Sequence, residues 1–329
     1  MSFMTETRDV IARLAAVVVL MLAAGVGAAA YPERPIRLVV PYPPGASTND
    51  ILGRALAVRL TARLGQQVVV DNRPGASGTL GSELVAKAQP DGYTLLVAIA
   101  SPLSLGPSVY PKLGYDSVRD FSHVARFASI PYAMVVNLSF PATNIKELIA
   151  LAKARPGHIN FASSGTGGTP HLCSELFKLQ AGVDMTHVPY KGAGIATIDV
   201  VGGQVQMFCT GLTALTGLIR SGKVRALGLA SLQRSPQMPE LATISEQGLL
   251  GFEVTSWSGV AAPAKTPAAI VRRLHAEIAA IVNDADMRNF LHTQGAEPAL
   301  MGPEEFRAYI QADIAKWAKV IKAAGIRIE

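Results

Sequence analysis

Short apolar runs alternate with amphipathic segments along most of the chain. The runs at 36–42, 68–72 and 94–100 are rich in Val, Ile and Leu and stop at Pro, Asn or Ser, which is typical of buried strands. Between them, the segments at 50–65 and 81–89 have the pattern of helices. Strands and helices that alternate in this way predict a mostly parallel sheet covered by helices.

The same alternation begins again near residue 144 and continues almost to the end of the chain. It predicts helices at 144–154, at 172–182 and just after 194, and strands at 159–163, 185–190, 205–211 and 224–231. The last part of the chain has two apolar stripes at helical spacing, preceded by Pro267 and Pro303, which suit the first turn of a helix. We therefore expect a second α/β unit followed by helices.

Two extended, apolar segments interrupt the alternation, at 129–140 and 252–267. If both connect the two units, the chain crosses between them twice and its C-terminal helices return to the first unit. This predicts an α/β fold of two lobes joined by a two-strand hinge. The expected lobes are 31–132 plus 256–329 for the first and 133–255 for the second.

The first 30 residues have the parts of an export signal. Arg8 and Arg13 lie in a short polar start, and the apolar run at 14–27 ends in small residues of the A-x-A type. Such a run is too short to span a bilayer comfortably. We expect cleavage near Ala30 and a periplasmic mature protein that begins around Tyr31, with a retained membrane anchor as the alternative.

Composition and charge exclude several classes of protein. With 49% hydrophobic and 16% charged residues in 329, the chain is typical of a compact globular protein. The net charge of +6 comes from scattered Lys and Arg residues, so we do not expect nucleic-acid binding. An oxidising compartment would permit a bond between Cys173 and Cys209, the two cysteines, but we expect two buried free thiols.

Two glycine-rich loops occupy equivalent places in the two units. "YPPGASTND" (42–50) follows the first strand of the first unit, and "SSGTGGTPHL" (163–172) follows the first strand of the second. Ligands bind beyond the carboxyl ends of such strands, where helix N-termini favour anions and glycines allow close approach to the backbone. One such loop alone would most often be a helix cap. Two of them favour a cleft that binds a small anion.

Enzymatic and metal-binding functions have weaker support in the sequence. The loops lack the lysine of a phosphate-binding P-loop, and Ser164 does not lie in a nucleophile elbow. A periplasmic enzyme that uses Ser164 with His171 as a base is the alternative from a different class. The spacing of the His and Cys residues matches no zinc motif, so we expect neither a metal nor a cofactor.

Four long stretches together carry a resemblance to a known family. "YPERPIRLVVPYPPGAS", "VVVDNRPGASGTLGSELVAKAQPDGYTLLVA", "SSGTGGTPHLCSELFKLQAGVDMTHVPYKGAG" and the segment from "GGQVQMF" to "ATISEQGL" resemble the Bug family. These are the TctC-type solute-binding proteins of tripartite tricarboxylate transporters. The resemblance implies a type 2 Venus-flytrap fold and a monomeric periplasmic receptor. It would bind a dicarboxylate, an amino acid or an aromatic acid and deliver it to a membrane permease. A receptor of the same fold that serves signalling is the alternative.

The resemblance also implies which residues hold the ligand. In the first lobe they are Tyr42, Pro44, Gly45, Ala46, Ser47, Thr48, Asp50 and Ser101. In the second lobe they are Ser163, Ser164, Gly165, Thr166, Gly167, Thr169 and His171. Ala46 replaces the second glycine that is usual in the family's first loop. Because neither loop contains Arg or Lys, we expect backbone N–H groups and hydroxyls to hold the carboxylate.

Overall fold

The computed structural model describes residues 31–45 and 48–326, which form a mixed sheet flanked by helices. The export signal predicted for residues 1–30 lies outside this part of the chain. The strands are β1 (Ile36–Val40), β2 (Val68–Asn72), β3 (Thr94–Ile99), β4 (Phe121–Val136), β5 (Asn160–Ser163), β6 (Thr186–Pro189), β7 (Met207–Gly211), β8 (Arg225–Leu229), β9 (Thr255–Pro263) and β10 (Glu297–Met301). The helices are α1 (Thr48–Leu64), α2 (Thr79–Ala86), α3 (Gly106–Val109), α4 (Ile145–Ala154), α5 (Thr169–Ala181), α6 (Ala193–Val201), α7 (Leu212–Arg220), α8 (Ala268–Asn283), α9 (Ala285–Thr293) and α10 (Pro303–Ala323).

The sheet has two parallel parts joined by antiparallel strands. Its order is β2-β1-β3-β9-β4-β7-β5-β6, with β8 and β10 also paired to β4. β1 pairs in parallel with β2 and β3, and β5 pairs in parallel with β6 and β7. We call the part around β1 the first half and the part around β5 the second half. The prediction of an α/β fold with mostly parallel sheets flanked by helices is confirmed, as is the strand at 68–72.

β4 is the strand that connects the two halves. Its residues up to Pro131 pair with β9 in the first half, and Tyr132 to Val136 pair with β7 in the second. The chain returns near residue 254, where the N–H of Val254 donates to the carbonyl of Ala230 at 2.6 Å and Thr255 then begins β9. The crossing segment that we predicted at 129–140 is therefore, as far as Val136, the end of a longer strand, because its apolar residues continue those of 121–128.

The C-terminal helices pack on both halves of the molecule. Leu274 of α8 and Leu291 of α9 lie in the core around β1. In α10, Phe306 lies in a core of the first half, but Trp317 lies in the core of the second half together with Phe252. The end of α10 therefore packs on the second half, and the assignment of 256–329 to the first lobe stays a prediction. A helix of 21 residues is long enough to reach both cores.

Cys173 and Cys209 form a disulfide, so the prediction of two free thiols is wrong. Cys173 lies on α5 and Cys209 on β7, and the packing of this helix on this strand brings their Cα atoms to 6.1 Å. That separation is within the usual range for a disulfide. The bond closes 36 residues of chain, and nothing local in the sequence shows that its ends meet.

Within the described ranges, none of the helices has both the length and the apolar character that a membrane span requires.

Candidate functional site

A cleft of about 730 Å³ opens at the carboxyl ends of the parallel strands of both halves. The first half contributes the loops after β1 and β2 and the residue two positions after β3: Tyr42, Pro43, Gly45, Thr48, Asn49, Pro74, Gly75, Ser77, Gly78 and Ser101. The second half contributes the loops after β5, β6 and β7: Ser164, Gly168, Thr169, Pro170, Lys191, Gly192, Ala193, Gly194, Thr210, Gly211, Thr213 and Ala214. The cleft therefore lies where parallel-sheet folds bind ligands.

The crossing strand supplies part of the cleft wall. Ile130 and Tyr132 of β4 and Ser256 of β9 line it. The hydroxyl of the buried Tyr132 interacts with the side chains of Thr169 and Ser256, and burial raises its pKa, so it stays protonated. Tyr132 thereby connects the start of α5 in the second half to β9 in the first.

Asp50 shapes the first loop from behind the cleft. Its side chain is only 1% exposed, and its carboxylate accepts hydrogen bonds from the N–H of Gly45 at 2.7 Å, from Nδ2 of Asn72 at 2.7 Å and from Nε of Arg54 at 3.0 Å. Burial alone would raise the pKa of Asp50, but the bonds from Arg54, Asn72 and Gly45 outweigh it, and the pKa is lowered. Asp50 thus joins the loop after β1 to α1 and to the end of β2.

The backbone conformation at position 45 favours glycine. Its φ of +67° lies in the left-handed region, which non-glycine residues seldom adopt. A Cβ at this position would meet no atom of the described residues within 4 Å, and Gly45 itself lines the cleft. Nearby, burial raises the pKa of Tyr42, so its hydroxyl also stays protonated.

Two histidines take part in the hydrogen bonds that hold the second loop. Oγ of the fully buried Ser163 lies 2.6 Å from Nε2 of His187, accepts the N–H of Gly165 at 3.2 Å and donates to the carbonyl of Gly165 at 3.1 Å. The N–H of Gly167 donates to Nδ1 of His171 at 3.1 Å. Ser163 and His171 therefore lie behind the loop, whereas Ser164 lines the cleft.

Both histidines are neutral at neutral pH. Burial lowers the pKa of His171 to about 3, with further contributions from His187 and Lys178, and burial lowers the pKa of His187 to about 4. The Nδ1 atom of His171 accepts the Gly167 N–H, so it is not free to act as a base for Ser164. Across the described residues, no group of three or more His, Cys, Asp or Glu side chains could hold a metal ion.

The predicted site residues divide into three groups. Those that line the cleft are Tyr42, Gly45, Thr48, Ser101, Ser164 and Thr169. Those that do not are Pro44, Asp50, Ser163, Gly165, Thr166, Gly167 and His171, of which Asp50, Ser163 and His171 are buried behind the two loops. Ala46 and Ser47 lie outside the described residues. Ligand contacts at all of these positions stay predictions.

Several cleft residues were missed in the sequence. The loop at 73–78 and the segment at 191–194 follow β2 and β6, so the rule that pointed to the two glycine-rich loops applies to them equally. Tyr132, Ser256 and Gln294 carry no such signal, because only the folded chain brings them to the cleft.

The cleft is electrostatically suited to an anion. Helices α5, α6 and α7 begin at its wall after Gly168, Gly192 and Gly211, and no described side chain caps any of the three. Their first N–H groups are therefore uncapped, but Pro170 of α5 has no N–H to donate. Such helix N-termini favour negative charge. Among the described residues that line the cleft, Lys191 is the one charged side chain, and Asp and Glu are absent.

Comparisons with known proteins agree with this geometry. Residues 52–326 match the family model described as the tripartite tricarboxylate transporter family receptor. The chain is 38% identical to protein BugT of Bordetella pertussis over 309 residues, which cover 94% of each protein. An R. palustris protein solved with adipate matches with a TM-score of 0.84 and 37% identity over 91% of this chain and 100% of that one. MatC of Rhodopseudomonas palustris, solved with bound malate, matches with a TM-score of 0.79 and 31% identity. The match covers 88% of this chain and 100% of MatC. The chain belongs to the TctC family, whose members are solute-binding receptors and not enzymes.

Proposed function

We propose that this protein is a periplasmic receptor that binds a small carboxylate in the cleft and delivers it to the membrane permease of a tripartite transporter. The observation that carries the proposal is a cleft with three uncapped helix N-termini and Lys191 but, among the described residues, no acidic side chain. Two similar proteins were solved with adipate and malate, which are both small dicarboxylates.

Helix N-termini alone do not account for micromolar binding. Each contributes up to about 2 kcal/mol when partly buried, so three contribute at most about 6, whereas micromolar affinity corresponds to about 8 kcal/mol. Hydrogen bonds from hydroxyls and backbone N–H groups to a charged carboxylate contribute roughly 1.5–3 kcal/mol each. The side chains of Ser164, Thr169 and Thr210 line the cleft and are suited to this role.

A matched set of probes tests the charge requirement. Adipate, its dimethyl ester and 1,6-hexanediol have the same six-carbon chain but differ in charge, and they would be compared with malate, glutamate and benzoate by thermal shift and calorimetry. We expect stabilisation by at least one carboxylate, of about 2.7 kcal/mol at 100 times its Kd, and none by the ester or the diol. Equal binding of the neutral compounds, or no binding of any carboxylate, would contradict the proposal.

A substitution of Lys191 tests whether a cationic side chain binds the carboxylate directly. Its side chain is exposed, so we expect it to attract anions to the cleft without being their main partner. Lys191→Met should slow association with adipate and reduce its salt dependence, with a loss of affinity below about tenfold. A loss of a hundredfold or more in calorimetry would show that Lys191 binds the carboxylate directly.

The proposed location requires removal of the predicted signal. Cleavage after Ala30 would keep Tyr31, whose hydroxyl donates to the carbonyl of Gly92 at 2.8 Å. Intact-mass measurement on exported protein should find a chain that begins near Tyr31. Residues 1–30 still attached to exported protein would contradict this.

A further inference from the structure

Three aromatic rings lie in a stack behind the second glycine-rich loop. The rings of His171 and His187 are 3.8 Å apart with an interplanar angle of 16°, and His187 lies 5.1 Å from the ring of Phe161 at 19°. Phe161 and His187 are register partners on the neighbouring parallel strands β5 and β6, and His171 reaches the stack from α5. Three separate elements therefore fix the position of the two imidazoles.

Each imidazole holds one part of the loop. His171 accepts the N–H of Gly167, and His187 contacts Oγ of Ser163, which binds both the N–H and the carbonyl of Gly165. Gly165 and Gly167 have φ values of +133° and +77°, so helix or strand geometry does not determine the path of the backbone between them. The hydrogen bonds to the histidines supply that constraint.

One of these hydrogen bonds specifies the tautomer of His171. Because Gly167 donates its N–H, Nδ1 of His171 must be unprotonated, and its proton is on Nε2, 3.7 Å from the carboxylate of Glu175. The hydroxyl of Ser163 can rotate, so its 2.6 Å contact with Nε2 of His187 suits either tautomer of that ring.

We propose that His171 and His187 are positioning residues, which keep the second loop in the conformation that presents Ser164 and Thr169 to the cleft. Neither ring lines the cleft, so they act on ligand affinity through the loop and not by contact. This inference rests on the proposed function of the cleft.

The first experiment needs no ligand. Nitrogen-15 NMR of the imidazoles at pH 7 should show His171 as the tautomer with the proton on Nε2. The amide of Gly167 should exchange slowly with solvent in the wild type and at least tenfold faster in His171→Leu. A proton on Nδ1 of His171, or unchanged exchange in that variant, would overturn the proposal.

The second experiment uses adipate as the probe in calorimetry. His171→Leu keeps an apolar side chain but removes the acceptor, and it should weaken binding about fivefold, the loss of one neutral hydrogen bond. His171→Asn retains an acceptor near the position of Nδ1 and should bind within twofold of the wild type. His187→Leu and His187→Gln form the corresponding pair, since the amide of glutamine keeps a hydrogen-bonding group near the position of Nε2.

His123→Leu is the matched control. His123 is also buried, contacts Phe306 edge to face and lies 3.1 Å from the carbonyl of Ser117, but it belongs to the first half and does not line the cleft. The His123→Leu variant should lose stability but keep its affinity for adipate.

A loss of adipate affinity in His123→Leu equal to that in His171→Leu would mean that the histidines act only through stability. Failure of His171→Asn to restore binding would mean the same. A wild type that does not bind adipate would contradict the proposed function for that probe, and the NMR experiment would still decide the positioning role.

Discussion

At the scale of single residues, side chains behind the cleft determine its shape as much as those that line it. Asp50 accepts hydrogen bonds from Gly45, Arg54 and Asn72, and the stacked His171 and His187 hold the second loop. Each of these side chains satisfies backbone or side-chain donors and acceptors that would otherwise be unpaired in the interior. Replacing one of them should therefore alter both stability and the geometry of a loop.

Asp50→Asn tests this for the first loop. The amide keeps the size of the side chain, but its NH₂ group must face one of the donors that the carboxylate now accepts. We expect the free energy of unfolding to fall by about 2–3 kcal/mol, because hydrogen bonds to charged groups contribute 1.5–3 kcal/mol, and we expect weaker adipate binding.

Asp116→Asn is the control for that change. Asp116 also accepts two backbone N–H bonds, but its partners Val118 and Arg119 lie outside the cleft, whereas the Asp50 partner Gly45 lines it. The Asp116→Asn substitution should lower the free energy of unfolding in urea denaturation without altering the affinity for adipate. Equal losses of affinity in the two variants would show that Asp50 has no specific effect on the loop.

The buried histidines predict a dependence of stability on pH. Burial lowers the pKa of His123 to about 4, of His171 to about 3 and of His187 to about 4. Between these values and the usual 6.5, the unfolded chain binds more protons than the folded one, so stability falls as the pH decreases. Each histidine contributes up to about 1.4 kcal/mol per pH unit in this window.

Urea denaturation tests this dependence on pH. The free energy of unfolding should be lower at pH 5 than at pH 7, and its change with pH should be smaller in His123→Leu. Equal stability at the two pH values would contradict the lowered pKa values.

At the scale of elements, the ends of strands and the beginnings of helices form the site. Gly45→Val places a branched side chain at a left-handed position, which costs roughly 1–2 kcal/mol, and it also fills space in the cleft. We expect calorimetry to show at least a tenfold loss of affinity for adipate.

The substitution Gly182→Val separates the effect of backbone strain from the effect of filling the cleft. Gly182 has a similar φ of +61°, and an added Cβ would meet no atom within 4 Å in the part of the chain that the structure describes. It follows α5 and does not line the cleft. This variant should lose about as much stability as Gly45→Val and bind adipate normally. Normal binding by Gly45→Val as well would place the ligand elsewhere.

At the scale of the whole molecule, we propose that the lobes at 31–132 plus 256–329 and at 133–255 close around the ligand. The hinge would lie near Ile130–Val136 and Val254–Gly259, where β4 changes partners and the chain returns to β9. α10 is a further connection, because it contributes to the cores of both halves and so limits how far they separate.

Small-angle scattering tests the closure. Saturating adipate should decrease the radius of gyration, because a ligand that contacts both lobes favours the closed state. The neutral 1,6-hexanediol at the same concentration should leave it unchanged. An identical profile with and without bound adipate would indicate a rigid receptor.

Local patterns in the sequence were enough to predict most elements and the general position of the site. The strand at 68–72 and the helix that begins near Thr48 follow from apolar periodicity, because a strand or helix with a buried face must repeat apolar residues at its own spacing. The two glycine-rich loops follow from their position after strands, and Gly45, Ser164 and Thr169 do line the cleft.

Tertiary structure alone decided which distant residues meet. The disulfide between Cys173 and Cys209, the link from Tyr132 to Thr169 and Ser256, and the packing of α10 on both cores all join residues far apart in the chain. The same is true of Asp50, whose partner Asn72 comes from the end of another strand. Sequence periodicity depends on neighbours within a few residues, whereas these contacts depend on strand order and on helix packing across the sheet. The sequence by itself therefore determined the elements and the kind of site, and the fold determined which side chains line the cleft, which support its loops and how the two halves are joined.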